Sequence, residues 1–397
     1  MTQQTLFLTG NEAIAEAWRQ INPDVVAAYP ITPSTTIMES FTQSVADGLV
    51  DTEMICVESE HSAMSACVGA AAAGGRVMTA TSANGLALMV EVLYIASGMR
   101  LPITLALATR ALSAPLNIHG DHSDAMLMRD AGWIILFSEG VQEAYDNFLQ
   151  AVRIAEHPDV RLPVAVTLDG MQTTHQLENL ISEDDEAVRD FIGEFKPYYP
   201  LVDVDNPVTY GACSVSFGED FYFESKRQQE EAFKQALPVI EAIGKEYGNR
   251  FGRSYELYEA YQLQGAEYAL VMMGANAGTA KDVVDELRAE GKKVGLLKLR
   301  SFRPFPFAAV TEVLKGLRGI AVCDRAAPRG SSGGPLFQEI RSALYGLDQA
   351  PTIINFIYGL GGRQLMPEHL RGAIEKLQVA TMTGPGDDLV GYLNLRN

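Results

Sequence analysis

The chain has 397 residues, 35 of them Gly, with 47% hydrophobic and 20% charged residues and a formal net charge of -19. It is too long for one core and predicts two or three α/β domains. The acidic balance excludes nucleic acid, whose phosphates demand clustered Lys and Arg. Cys56, Cys67, Cys213 and Cys323 lie scattered without a C-x-x-C pair, so no zinc site, iron–sulfur ligation or disulfide framework is expected, and a reducing cytoplasm fits. Met1 to Asn11 lacks the charged and apolar regions of a signal peptide, and no run reaches the about 20 apolar residues of a membrane span.

From Ala13 to about Leu180, short apolar runs alternate with helical stretches, the pattern of stacked βαβ units. Strands are expected at Val25 to Tyr29, Met54 to Val57, Val77 to Thr81, Ile103 to Ala108, Trp133 to Phe137 and Val164 to Leu168. The first ends in Pro30-Ile31-Thr32-Pro33, a stiffened loop, followed by hydroxyls at Ser34, Thr35 and Thr36 where a helix would start. Carboxyl ends of such strands are where open α/β sheets place ligands, although a capped strand-to-helix turn explains the same residues. His61 to Ala73 is built of small residues and predicts a helix packed closely on both sides. Leu86 to Ser97 is apolar nearly all round and reads as buried; Gln142 to Ala155 is amphipathic.

Near residue 180 the character changes. Glu178 to Phe195 is acidic, Pro197 to Asp220 is rich in Pro, Gly and aromatics, and Ser225 to Lys245 is a charged helix with Arg227, Gln228, Gln229, Glu230 and Glu231 on exposed faces. This connector reads either as an element packed across a partner surface or as a solvated arm. The βαβ rhythm then resumes, with strands at Tyr268 to Met273, Lys293 to Leu299, Ile320 to Asp324 and Thr352 to Tyr358, and helices at Thr279 to Glu290 and Leu336 to Leu347. Arg303, Pro304 and Pro306 are expected to stop any regular element. The expected architecture is two doubly wound domains, residues 1–255 including the connector and 256–397.

Several residues carry chemistry. Glu58 and Glu60 fall at a strand-to-helix junction: either is an acid favoured by the helix dipole, worth a few tenths of a kcal/mol, or a buried carboxylate facing a heterocyclic nitrogen. Arg110 follows the Ile103 strand, as a bidentate carboxylate anchor or a structural ion-pair partner. His119, Asp121, His122 and Asp124 share one loop that looks like a metal site, but Ser123-Asp124 reads better as a helix cap, and no metal is expected. The loops Ser82-Ala83-Asn84-Gly85 and Gly274 to Gly278 place backbone donors where a phosphate could sit, without the G-x-G-x-x-G spacing or a P-loop Lys.

In order along the chain, Tyr29-Pro30-Ile31-Thr32-Pro33-Ser34, Ser59-Glu60, Asn84-Gly85-Leu86, Thr109-Arg110-Ala111-Leu112-Ser113, Gly120-Asp121-His122-Ser123-Asp124, Asp169-Gly170 with Thr174-His175, Gly278-Thr279-Ala280-Lys281, Arg303-Pro304-Phe305-Pro306 and Gly333-Gly334-Pro335 resemble the α subunit of the multisubunit 2-oxoacid:ferredoxin oxidoreductases, most closely pyruvate:ferredoxin oxidoreductase. The resemblance implies a pyrimidine-type domain of the thiamine-diphosphate fold followed by a transketolase C-terminal-like domain. It implies CoA-dependent oxidative decarboxylation of a 2-oxoacid, with pyruvate favoured over 2-oxobutyrate, a branched 2-oxoacid or oxalate, and the reverse carboxylation. The family's roles fall on Glu60, as the carboxylate hydrogen-bonded to N1′ of the aminopyrimidine; on Thr32 and Arg110, as the hydroxyl and guanidinium that hold the substrate; and on Pro30, Ile31, Asn84 and Gly85 as cofactor neighbours, with His119 to Asp124 as an active-site loop. Thiamine diphosphate is then shared with a β subunit that carries Mg²⁺, since no Gly-Asp-Gly segment with a following metal-binding Asn is present here. Iron–sulfur clusters would sit on other subunits of the β, γ and δ type, ferredoxin would take the electrons, and CoA the acyl group. Two further readings stay open: a noncatalytic module that docks a redox partner, and a dinucleotide enzyme using Gly274 to Gly278.

Overall fold

A computed structural model describes residues 3–208, 218–384, 386 and 389–396. Cys213 and part of the Pro197 to Asp220 stretch lie outside the described residues. Strand β1 (Gln4–Thr9) leads into α1 (Gly10–Ile21), followed by β2 (Val25–Ala28), α2 (Thr35–Ala46), β3 (Glu53–Cys56), α3 (Glu60–Ala73), β4 (Val77–Thr81), α4 (Ala83–Gly98), β5 (Thr104–Thr109), β6 (Ile134–Phe137), α5 (Val141–Glu156) and β7 (Val164–Asp169). Strand β8 (Leu177–Ser182) pairs antiparallel with β1, and α6 (Asp185–Ile192) precedes the long α7 (Gly218–Phe251). The remainder runs β9 (Tyr258–Tyr261), β10 (Tyr268–Met272), α8 (Asn276–Ala289), β11 (Val294–Leu299), β12 (Ser301–Arg303), α9 (Phe307–Leu314), β13 (Gly319–Asp324), α10 (Pro335–Leu344), β14 (Thr352–Ile357), α11 (Pro367–Thr383) and β15 (Val390–Tyr392).

The ten strands expected from apolar runs all form, because a fully buried parallel strand must be apolar on both faces: β4, β5, β6 and β7 contain no exposed residue. The first sheet has the order β12-β6-β7-β5-β4-β2-β3 and the second β15-β14-β13-β10-β11-β9. In the first sheet the chain passes from β2 to β3 on one side and then back to β4 on the other. The carboxyl ends of β2 and β4 therefore flank a switch-point crevice, the usual ligand position of open parallel sheets.

Three expectations need correction. Ser301 to Arg303 is an edge strand, antiparallel to β6, so the second half of the chain completes the sheet of the first; Phe302 is buried there against Phe137 with ring centroids 6.0 Å apart. The connector helix is longer than expected, and its second half is neither a solvated arm nor free for a partner. Ala232, Ala236, Ile240, Ile243, Tyr247 and Phe251 recur at helical spacing and are buried in the first core, and Gln229 is buried rather than exposed. The small-residue helix α3 and the apolar α4 are each bare on one side: Ser65 and Gly69 are exposed, as are Leu88 at 49% and Tyr94 at 45%. One apolar cluster runs from Leu86 of α4 through Trp133 and Phe302 to Val322 and Leu336, joining the two sheets into one body.

Candidate active site

Four turns at the carboxyl edge of β2, β3, β4 and β5 carry Thr32, Glu60, Asn84 with Gly85, and Arg110. Ser59 caps α3 by accepting a hydrogen bond from the Ser62 amide at 3.2 Å, which makes Glu60 the first helical residue. Glu60 is 7% exposed, and its carboxylate has no hydrogen-bond or ion-pair partner among the described residues. A Cβ on Gly85 would lie 2.6 Å from Glu60 Oε1 and 2.6 Å from Thr81 Oγ1, so the absence of a side chain at 85 makes room for the carboxylate. The Thr81 hydroxyl beside it is buried without a partner, as is that of Ser82 at the start of α4. Glu58, by contrast, is solvent-exposed, and the hydrogen bond it accepts from Ser62 Oγ at 2.5 Å lowers its pKa.

Arg110 is 6% exposed. It forms no ion pair among the described residues: Nη1 donates to the Thr32 carbonyl at 2.8 Å and Nε to the Asn117 carbonyl at 2.9 Å, while Nη2 has no protein partner. A buried guanidinium with a spare edge suits a ligand carboxylate. The Thr32 loop is braced from behind by a residue the sequence reading missed. Buried Asn11 of α1 donates to the Pro33 carbonyl at 2.6 Å and to Thr36 Oγ1 at 2.6 Å; a lone Asn at a helix start gave no signal of this. Ser34 does not cap α2, since its hydroxyl donates to the Ile31 carbonyl at 2.8 Å. Pro30 and Thr32 are exposed and Ile31 half-buried at the crevice mouth. Asn84 faces the loop after Arg110, its Oδ1 accepting from the Ser113 amide at 3.2 Å.

The His119 to Asp124 loop spreads its side chains in different directions. Asp124 starts a short 3-10 helix, Ala125–Met128, as the cap reading expected, accepting from the Ala125 amide at 2.8 Å; burial pushes its carboxyl up to about 8. His122 Nε2 lies 2.8 Å from Asp169 Oδ1, and Arg325 Nη1 donates to Asp169 Oδ2 at 2.7 Å. Burial pushes the Asp169 carboxyl up, but His122 and Arg325 outweigh it and hold the pKa well below the usual range. Asp121 Oδ2 accepts from the Gly361 amide at 3.0 Å, while His119 is exposed and contacts Asn117. The loop is thus a clasp onto the second unit. Among the described residues no three metal-ligating side chains converge. Nor is the Gly274 turn open to a phosphate: the Ala275 amide donates to Asp169 at 3.0 Å, and Asp169 fills the space over Gly274.

Two recesses of about 680 and 670 Å³ lie along α4 and α7 and contain none of Thr32, Glu60 and Arg110. The site is an open sheet edge. A buried unpaired carboxylate, an orphaned hydroxyl and a side-chain-free wall could hold one face of a flat polar heterocycle, at the sheet edge of the first of two α/β units. The model of the pyruvate flavodoxin/ferredoxin oxidoreductase thiamine diphosphate-binding domain matches residues 16–245, and that of pyruvate:ferredoxin oxidoreductase core domain II matches residues 266–370. The chain belongs to the pyruvate flavodoxin/ferredoxin oxidoreductase family and is an oxidoreductase subunit. It is 55% identical to pyruvate synthase subunit PorA of Thermotoga maritima, over 93% of each chain. It is 39% identical to ketoisovalerate oxidoreductase subunit VorA of Pyrococcus horikoshii, over 98% of each. In fold it is similar to the 2-oxoglutarate:ferredoxin oxidoreductase of Magnetococcus marinus, at a TM-score of 0.73 and 19% identity, covering 94% of this chain and 65% of that one.

Proposed function

We propose that this chain is the α subunit of a cytoplasmic, thiamine-diphosphate-dependent 2-oxoacid:ferredoxin oxidoreductase, with pyruvate as its substrate. The observation that carries the reading is Glu60, buried and unpaired beside the side-chain-free wall at Gly85. Thiamine diphosphate, when bound, supplies the carbon nucleophile that adds to the keto group and the electron sink that lets CO₂ leave. Glu60 holds or shares a proton with the pyrimidine nitrogen. Among the described residues no protein group competes for that carboxylate, which leaves it free to face the ring nitrogen. Arg110 holds the 2-oxoacid carboxylate with its spare Nη2 edge, and the Thr32 hydroxyl orients the keto acid; binding and orientation are what a group about to depart as CO₂ requires. Pro30 and Ile31 form the rim.

The bare faces of α3 and α4 support a shared site, completed by a β-type subunit that brings the diphosphate and Mg²⁺. Iron–sulfur clusters on other subunits, of the γ and δ type among them, would carry electrons to ferredoxin, and CoA would accept the acyl group. Kinship with a ketoisovalerate oxidoreductase subunit supports a second reading, in which a branched 2-oxoacid is the substrate. The test is CoA-dependent reduction of ferredoxin or viologen by the co-purified complex over a panel of 2-oxoacids. We expect turnover with pyruvate, abolished by Glu60→Gln and lowered in affinity by Arg110→Ala. Activity with another acid alone would overturn the substrate, and wild-type turnover in both variants would overturn the site.

A further inference from the structure

Asp124 is fully buried, yet its carboxylate reaches two different strand-to-helix turns. Oδ2 accepts both the Ala83 amide at 2.7 Å and the Arg110 amide at 2.9 Å, while Oδ1 accepts the Ala125 amide. Ala83 begins α4 after β4; Arg110 follows β5. Ala83 has φ +46°, a left-handed conformation that a residue with a Cβ adopts only when held there, and the Asp124 bond holds its amide. Two residues on, the Gly85 backbone walls in Glu60. From the other turn, the Arg110 side chain extends to the Thr32 carbonyl. Neither His122 nor Asp121 hydrogen-bonds to Ala83 or Arg110; both point to the second unit.

The geometry points to Asp124 as a positioning residue of the 2-oxoacid reaction, which through one shared oxygen fixes the Arg110 anchor and the wall behind Glu60 relative to each other. It rests on the roles proposed above for Glu60 and Arg110. A residue that only stabilises the fold changes the amount of active enzyme. One that sets two subsites changes both binding constants together, since misplacement by an ångström can cost a factor on the order of 100.

The experiment compares Asp124→Asn and Asp124→Ala in the assembled complex, measuring KM for the 2-oxoacid, KM for CoA, and thiamine diphosphate affinity by fluorescence titration without turnover. With alanine, both the 2-oxoacid KM and the thiamine diphosphate Kd rise about tenfold while KM for CoA stays constant. Asparagine keeps one oxygen for the two shared amides and restores both constants to within about threefold of wild type. In Arg110→Ala background, Asp124→Ala adds nothing to the 2-oxoacid KM but still weakens thiamine diphosphate binding. If the alanine variant does not assemble, the asparagine variant decides: both constants rise together by about two- to threefold, and a rise in one without the other overturns the inference. A fall in kcat alone, or movement of only one constant, overturns the inference. A wild-type complex inert toward every 2-oxoacid would overturn the proposed function instead, and the cofactor titration would still read the effect of Asp124 on the Glu60 wall.

Discussion

Glu60 can lie where it does only because residue 85 carries no side chain. In Gly85→Ala the new Cβ meets Glu60 Oε1 and Thr81 Oγ1, both at 2.6 Å, and Glu60 Cγ at 2.9 Å, so the Glu60 side chain is displaced from its place. We expect the melting temperature to shift by only a few degrees, as for about 1 kcal/mol, while turnover falls by at least about tenfold. Unchanged turnover in a folded Gly85→Ala complex would show that Glu60 does not need this place. Which of the two neighbouring acids is buried was not legible from Glu58-Ser59-Glu60 by composition. The Ser59 cap decides it, by setting the rotation at which α3 leaves the sheet.

At the scale of an element, α10 shows how a short motif is explained by what surrounds it. Asp324, at the end of β13, accepts from the Leu336 amide at 2.8 Å, the Phe337 amide at 3.1 Å and Asn355 Nδ2 at 2.9 Å. A Cβ on Gly334 would collide with that carboxyl. Gly334→Ala should lower unfolding stability by about 2 kcal/mol, measured by urea denaturation, with no effect on affinity for the 2-oxoacid. Burial pushes the Asp324 carboxyl up to about 7 against those hydrogen bonds. A group raised this way from an unfolded value of about 3.9 stabilises fully at low pH and loses that contribution as pH rises from about 4 to 7. The stability of Asp324→Asn should therefore fall less steeply than wild type across that window, and parallel curves would contradict the assignment. The same scale explains α4: its apolar periphery was read as burial, but exposure of Leu88 and Tyr94 shows that an all-round apolar helix in one subunit can be half covered.

At the scale of the molecule, the two sheets are locked by charges far apart in sequence. Asp169 ends β7, Arg325 follows β13 and donates from Nη2 to the Gly120 carbonyl at 3.0 Å, and the His122 amide donates to the Arg325 carbonyl at 2.8 Å. Lys281 and Lys298 reach across to Glu139, at 2.8 and 2.9 Å. Removing one member of a buried pair strands the other, so Arg325→Met should cost about 3 kcal/mol or more. Because the Asp169 carboxyl is held well below its ordinary value, it stabilises above about pH 4, and wild type loses that contribution only in strong acid. Acid unfolding of Arg325→Met should begin at higher pH; an unchanged acid midpoint would mean that the lock carries no stability.

The sequence by itself determined the parallel strands, the helices between them and the order of site residues along the chain. Strands buried on both faces must be continuous apolar runs, and a ligand site in such a sheet must lie at their carboxyl ends. Tertiary structure alone decided what those residues touch. That Glu60 is unpaired, that Arg110 commits Nε and Nη1 to carbonyls and keeps Nη2, that β12 crosses to the other sheet, and that the His119 to Asp124 loop grips the second unit while Asp124 joins two turns all depend on contacts between distant segments. No local period or spacing encodes a contact of that kind.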